Sequence, residues 1–521
     1  MTHIPTGYAQ AYYGFYHMDN ANPPLVRMLY GGLVEVFKPQ VYWGPDLPQI
    51  DFSIYSYYFA MANIPHYHLM GIFSRMVIML LTLIGGILVY RWAKEEYGPW
   101  AGLGCLALFF LNPVVIAHGT LATLDMGLTL AWIAYLYAIY QYLKQCSWKW
   151  ALLSGLFLGL ALCSKFTSVL LIPLTLGSIL LDTSTRQILM KNRKKTFLQG
   201  LGFLWVSVLT INLIYRFTGT LTPISQFHFI SPLFQSWSKF IPGWLAIPFP
   251  VDFVNGFDKQ FSDLDQYANY LNGTFSSQGF YSYYLEAFLI KNPIPFLIML
   301  GWAGYWRYKK HKPLSLAEKI WLLAAGGIFL VFSLSRTKNL GIRYILPAYP
   351  FLILLVGPLF ARISNQDKGR WKWMVGGLFL WQIASMVWIC PHYLSYFNEL
   401  IGGPSRGHFY LLDSNLDWGQ DSIRLKKYMD SHGLDSIMFK LSGIMPPIVY
   451  GIQAERVPET PTPGVIAMSV NHYYGAFEVK PENRHKFDWL KDYQPVDTIG
   501  YSIWIYKITP EDIMRHQGIS Q

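Results

Sequence analysis

Charge is scarce in this sequence. Charged residues make up 14% of its 521 positions, against about 25% in an ordinary soluble domain. That shortage excludes a solvated globular surface over most of the chain. Cysteine is scarce too: Cys105, Cys146, Cys163 and Cys390 are scattered and lie in or beside apolar runs. Neither a disulfide framework nor a thiolate metal site follows from such spacing. No internal repeat and no low-complexity segment occurs. There is no glycine-rich phosphate loop, no HExxH and no nucleophile elbow, which removes three large enzyme classes. His3, His66, His68 and His118 lack the spacing of metal ligands.

What is present is apolar and aromatic. Hydrophobic residues reach 53% and aromatic residues 17%, with 36 Tyr, 34 Phe and 19 Trp. This is the composition of membrane spans with aromatic belts. The net charge of +11 does not point to nucleic acid, because the basic residues sit in short loops between apolar stretches. Spanning the hydrocarbon takes about 20 mainly apolar residues. Ten stretches qualify: 70–91, 100–118, 126–143, 150–164, 166–182, 197–215, 283–305, 319–335, 342–361 and 373–390. Only the Ser164-Lys165 break separates the fourth from the fifth.

Alternate connections are basic. They carry Arg91 and Lys94; Lys144 and Lys149; Arg186 to Lys195; Arg307 to Lys319; and Arg362 to Lys372. The positive-inside rule makes these cytoplasmic. Residues 1–69, 216–282 and 391–521 then face outward. The polar opening, MTHIPTGYAQ, falls on the outer side with no apolar segment before it, so one further span is expected upstream. The domain plan is an outer loop with interfacial helices (1–69), a membrane bundle (70–390) with a long outer loop (216–282) forming short helices and a lid, and a small extracytoplasmic α/β domain (391–521). In the last of these, DSIRLKKYMDSHG has helical spacing. VIAMSVNHYY and GYSIWIYKI read as strands.

Charge near hydrocarbon is costly and marks candidate function. Asp125, in AHGTLATLDMGLTL, stands at the outer mouth of a span. It reads either as a helix cap for the amides near Gly127 or as a carboxylate facing a cavity. Lys165, in LCSKFTSVLL, reads either as a snorkelling lysine or as a cation for a phosphate at the bilayer surface. Arg336, Lys338 and Arg343, in SRTKNLGIRYILPAYPF, place three cations in a short outer loop against the rule the others obey. A bound anion explains the exception, since an arginine fork grips phosphate. Binding to lipid headgroups is the blander reading. Asp413, Asp417 and Asp421, in LLDSNLDWGQD, read as carboxylates for a sugar or cation, or as a capped turn. NGT at Asn272 matches a glycosylation sequon.

Five segments in order resemble bacterial lipid-carrier-dependent glycosyltransferases, relatives of protein O-mannosyltransferases and aminoarabinose transferases. They are THIPTGYAQAYYGFYHMDNANPPLVRML, GTLATLDMGLT, YLNGTFSSQGFYSYYLEAFLIKNPIPFLIML, GIRYILPAYPFLILLVG and YFNELIGGPSRGHFYLLDSNLDWGQD. The resemblance implies the C-type membrane fold and residence in the cytoplasmic (inner) membrane. It implies inverting transfer from a polyprenyl-phosphate sugar to a glycan, lipid or protein acceptor, with no metal or other cofactor. In that family an Asp-Glu pair stands two residues before the histidine matched here by His3, with Gly7-Tyr8 following. The pair is expected just before Met1. Asp125 matches the second acidic position and is the candidate catalytic residue. His3, Tyr8, Asn22, Arg27, Lys165, Arg336, Lys338 and Arg343 are candidates for substrate binding. A catalytically impaired homologue and a transporter of lipid-linked substrates are the rival classes.

Overall fold

The computed structural model describes residues 3–41, 51–191, 193–262, 268–335, 338–362, 369–443 and 445–516. Helices dominate. Among the described residues five are long and apolar enough to cross a membrane: Ile64–Tyr97, Arg193–Ile214, Leu316–Ser335, Ile342–Ala361 and Trp371–Ile389. Three bent pairs raise the number to eight. Trp148–Leu162 is apolar but only 15 residues long. Asp125–Gln145 is buried along nearly its whole length and forms the centre of the bundle. The chain is a multi-pass helical membrane protein, with fewer unbroken crossings than the ten stretches suggest.

The breaks have chemical causes. The expected span 100–118 is two helices, Pro99–Phe110 and Pro113–Gly119, bent by 65°. Pro113 lacks an amide hydrogen, and the Asn112 side chain instead caps the amides of Val114 and Val115. The expected span 283–305 is likewise Tyr283–Lys291 and Ile294–Lys309, bent by 113° at Asn292-Pro293. The two breaks meet. Asn112 Nδ2 donates to Asn292 Oδ1 at 2.8 Å, and Asn292 Nδ2 donates to Phe288 O and to the Tyr349 hydroxyl. Each asparagine satisfies backbone at its own bend, and the two side chains tie the bends together. The third pair turns by 94° at Asp182, which accepts from Thr185 N and pairs with Lys319 at 2.8 Å.

The first segment is not an open loop. His3–Tyr13 crosses Leu25–Leu33 at Gly7 and Gly31. A Cβ on Gly31 would lie 2.4 Å from the Gly7 carbonyl carbon. The next long helix begins at Ile64, inside the stretch assigned to the outer loop, and runs 34 residues, about 51 Å. In the long connection, Pro232–Ser238 and Val251–Ser262 are short helices. A hairpin follows, β1 (Asn269–Leu271) and β2 (Thr274–Ser276). Its turn is Asn272-Gly273, both with positive φ, the usual chemistry of a two-residue hairpin. The same NGT matches the glycosylation sequon.

The C-terminal domain is α/β as expected. Five strands form one sheet: β3 (Ser436–Lys440), β4 (Gln453–Arg456), β5 (Gly464–Ser469), β6 (Asp497–Ile499) and β7 (Ile503–Ile508). Their order is β4-β3-β5-β7-β6, parallel around β3 and antiparallel around β7. Helix Ser422–Ser431 packs Leu425 and Met429 onto Ile437 and Ile505. The strand expected over VIAMSVNHYY stops at Ser469, and Val470–Tyr473 turns into a short helix.

Candidate functional site

The site is built where three helix ends meet the loop that leads into the C-terminal domain. Asp125 opens helix Asp125–Gln145, yet its side chain caps no amide. The capping reading therefore fails. The carboxylate is almost fully buried, and its oxygens face cations. Lys165 Nζ lies 3.1 Å from Oδ1, and Arg343 Nη1 lies 3.7 Å from Oδ2. Lys165 comes from the tight turn between Trp148–Leu162 and the 3-10 segment Phe166–Leu170. It turns inward to Asp125 instead of reaching away to the surface. Arg343 comes from the 3-10 turn Ile342–Ala348, wound so because Pro347 and Pro350 interrupt the helical ladder.

Aromatic rings hold both cations in place. Lys165 Nζ stands 4.4 Å over the Tyr344 ring. The Arg343 guanidinium stands 4.9 Å from Tyr344 and 4.7 Å from Trp418. Arg343 Nε also donates to Ser414 Oγ at 3.2 Å. Stacking on ring faces leaves guanidinium edges for hydrogen bonds. Lys165 and Arg343 thus converge on Asp125, with the Asp413 carboxyl also within the field of Arg343.

The loop at 411–418 is itself pinned from below. Lys291 is fully buried at the end of Tyr283–Lys291 and has no carboxylate partner among the described residues. Its ammonium donates to Leu394 O and Asn415 O, both at 2.7 Å, and lies 4.2 Å from the Phe397 ring. Asn415 donates to the Tyr283 hydroxyl and accepts from Ile342 N. Lys291 and Asn415 together fix Ser414 and Trp418 beside Arg343. Lys291 falls inside the stretch 283–305, which hydropathy reads as one unbroken span, so nothing local marks it.

A cleft of about 640 Å³ opens from this loop into the C-terminal domain. Asp413, Asp417, Trp418, Tyr450, His472 and Phe477 line it. Asp417 accepts from Gly419 N at 2.7 Å and from the Ser469 hydroxyl at 2.8 Å. Burial nevertheless pushes its carboxyl up to about 6. Desolvation raises Asp413 as well, and Arg343 pulls it back. Asp413 holds a positive φ of 59°, uncommon for a residue with a side chain and a mark of imposed geometry. His472, lowered by burial to about 4, donates from Nε2 to Leu441 O at 3.1 Å.

The other sequence candidates divide. His3 lines a small cavity of about 50 Å³ with Arg75, Thr123, Trp418 and Tyr450. Burial and the charge of Arg27 lower its ring to about 3. Tyr8 donates to Glu35 at 2.6 Å. Arg27 is fully buried, paired with Asp19 at 2.5 Å, and also donates to the carbonyls of Asp19 and Asn22. Tyr8, Asn22 and Arg27 therefore hold the first segment in shape. Lys338 enters through its carbonyl, which accepts from the Tyr284 hydroxyl at 2.5 Å. Arg336 lies outside the described residues. His118 is buried near Asp125, and neither ring nitrogen has a hydrogen-bond partner among the described residues.

Residues 70–214 match the dolichyl-phosphate-mannose-protein mannosyltransferase family. That stretch contains Asp125 and Lys165 but not Arg343. No curated protein matches the chain. Among solved structures, the crystal structure of ArnT from Cupriavidus metallidurans in the apo state is similar at 14% identity and a TM-score of 0.44, over 93% of this chain and 87% of that one.

Proposed function

We propose that the chain transfers a sugar from a polyprenyl-phosphate carrier to an acceptor hydroxyl or amine at the outer surface of the cytoplasmic membrane. The observation that carries this reading is the buried Asp125 carboxylate with Lys165 and Arg343 set on its two oxygens. The family match over residues 70–214 supports it.

The chemistry asks for such a set. The acceptor's oxygen or nitrogen attacks the anomeric carbon, and the bond from that carbon to the phosphate oxygen breaks. The electron pair leaves on the phosphate, whose charge grows as the bond lengthens. Fixed cations lower the barrier because they need no reorganisation at that moment. Lys165 and Arg343 fill that role, and Asp125 keeps both aligned while the site is empty. The acceptor enters by the cleft, and its proton passes to a carboxylate there. Asp413 stands nearest to Arg343 on that side. A raised carboxyl is a better proton acceptor than an ordinary one. Inversion at the anomeric centre requires the acceptor to attack from the face of the sugar away from the leaving phosphate.

The test is transfer from a radiolabelled polyprenyl-phosphate sugar in proteoliposomes. Arg343→Ala is expected to weaken donor binding more than acceptor binding, and Asp125→Asn to lower turnover on the order of 10²-fold with folding intact. Unchanged turnover in Asp125→Asn removes this site from the reaction.

A further inference from the structure

A second cationic pocket lies outside the site just described. Arg75 sits in helix Ile64–Tyr97, within an otherwise apolar run. Among the described residues no carboxylate pairs with it. It lines a cavity of about 210 Å³ together with Met79, Thr120, His392, Gln420 and Arg424. Arg75 and Arg424 are close enough to repel each other.

The one carboxylate in the wall is already committed. Asp421 is buried, pairs with Arg424, and accepts from the Ser502 hydroxyl at 2.7 Å and from Gln420 Nε2 at 2.9 Å. The His392 ring nitrogen Nδ1 is 4.0 Å from it and has no hydrogen bond among the described residues. Two guanidiniums against one carboxylate leave a unit of positive charge at the pocket. An unpaired arginine at the edge of hydrocarbon is expensive unless an anion reaches it.

Depth identifies the kind of anion. Arg75 precedes Arg91 by sixteen residues, about 24 Å along the helix axis. Arg91 belongs to the basic end of the bundle, and the hydrocarbon is about 30 Å thick. Arg75 therefore lies about 6 Å, roughly one helical turn, inside the opposite edge of the hydrocarbon, where its long side chain reaches the headgroups. Met79, one turn further along the helix, lines the pocket with Arg75, and Met76, Leu80 and Leu83 on the flank of the same helix are more than half exposed, as are Val387 and Trp388 near the end of Trp371–Ile389. An acyl or prenyl chain meets apolar side chains there, while its phosphate meets Arg75 and Arg424.

We propose that Arg75, Arg424 and His392 form a binding site for the phosphate ester of an anionic lipid, separate from the Lys165–Arg343 pair. The pocket lies under the C-terminal domain, so its occupant ties that domain to the membrane surface. Trp418 and Arg75 share the wall of the smaller cavity, which places the lipid phosphate one side chain away from the ring beneath Arg343.

The test uses the purified full chain in mixed micelles. Phosphatidylglycerol, phosphatidylcholine and a polyprenyl phosphate are present in equal amounts, and retained lipid is counted by native mass spectrometry. The intact protein is expected to retain an anionic lipid at least five-fold over phosphatidylcholine. Arg75→Gln and Arg424→Gln each bring this to parity, and Arg75→Lys keeps part of the preference. Retention of phosphatidylglycerol identifies a membrane phospholipid as the source. Retention of the polyprenyl phosphate alone, still lost in Arg75→Gln, identifies a lipid-linked substrate. Equal retention by the intact protein and both glutamine variants overturns the proposal. So does displacement of the lipid by glycerol phosphate at the same concentration. Transfer activity is not read, so the outcome stands apart from that of Asp125→Asn.

Discussion

At the scale of single residues, the buried charges carry the risk and the information. Arg27 has no exposed side-chain surface, and Asp19 is its carboxylate partner. Removing one member of a buried pair leaves the other charged and desolvated, at about 3–5 kcal/mol. Asp19→Ala is therefore expected to lower the thermal midpoint of the detergent-solubilised protein sharply. The double replacement Asp19→Leu with Arg27→Met restores part of it, because no unpaired charge remains. A midpoint unmoved by Asp19→Ala contradicts the pairing. Asp125, Lys165 and Arg343 were legible because each is a charge beside an apolar run. Arg75 and Lys291 obey the same rule and were still missed. Each falls inside a stretch long enough to read as a continuous span, where one charge is averaged away. The partners of Lys291 are carbonyls more than a hundred positions away, and no local pattern announces them.

At the scale of elements, the decisive contacts are those that only glycine allows. Gly31 meets the backbone of Gly7 and Tyr8 where His3–Tyr13 crosses Leu25–Leu33. A methyl group there has backbone against it at 2.4 Å, which no side-chain rotation relieves. Gly31→Ala is expected to cost about 1–3 kcal/mol of stability, seen as a lower thermal midpoint. Gly32→Ala is the matched control: its nearest neighbour would be the Ala11 methyl at 3.8 Å, an ordinary contact, and no loss is expected. Ala is the better helix former at both positions, so equal midpoints in the two variants, without a loss at Gly31, would show that the crossing does not depend on this close approach. The positions of most helices were legible from hydropathy, and their breaks were not. Asn112-Pro113 and Asn292-Pro293 are visible as dipeptides. A window of about 20 residues nevertheless smooths over one turn of lost helix, and the bond between the two asparagines spans 180 positions. The end of β5 is similar. The aromatic run after Ser469 has strand composition, but Asn471 is taken by the loop at Asp413, donating to its carbonyl and accepting from its amide, and the chain turns.

For the whole molecule, the two ends of the bundle are chemically unlike. One end gathers the basic connections, and its contacts join segments far apart in sequence. Lys319 pairs with Asp182, Arg307 with Glu318, and Arg362 stands over Trp306 and Trp371. Acidic partners there are too few to neutralise Arg186 to Lys195 or Arg307 to Lys319. Translocating that many cations is unfavourable, so this end is expected to stay in the cytoplasm. The other end carries Asp125, Lys165, Arg343 and the C-terminal domain, and transfer from a lipid carrier at the outer surface requires it to face out. Cysteine labelling of spheroplasts decides the orientation. Cys105, Cys146 and Cys163 are buried, and Cys390 is exposed. A membrane-impermeant maleimide is expected to label Cys390 and a Ser431→Cys variant in intact spheroplasts. A Lys309→Cys variant, with Cys390 changed to serine, is expected to react only after permeabilisation. The reverse pattern would put the Asp125 site in the cytosol and remove the lipid-carrier reaction. It would leave Arg75 facing the inner leaflet, where an anionic lipid can still reach it.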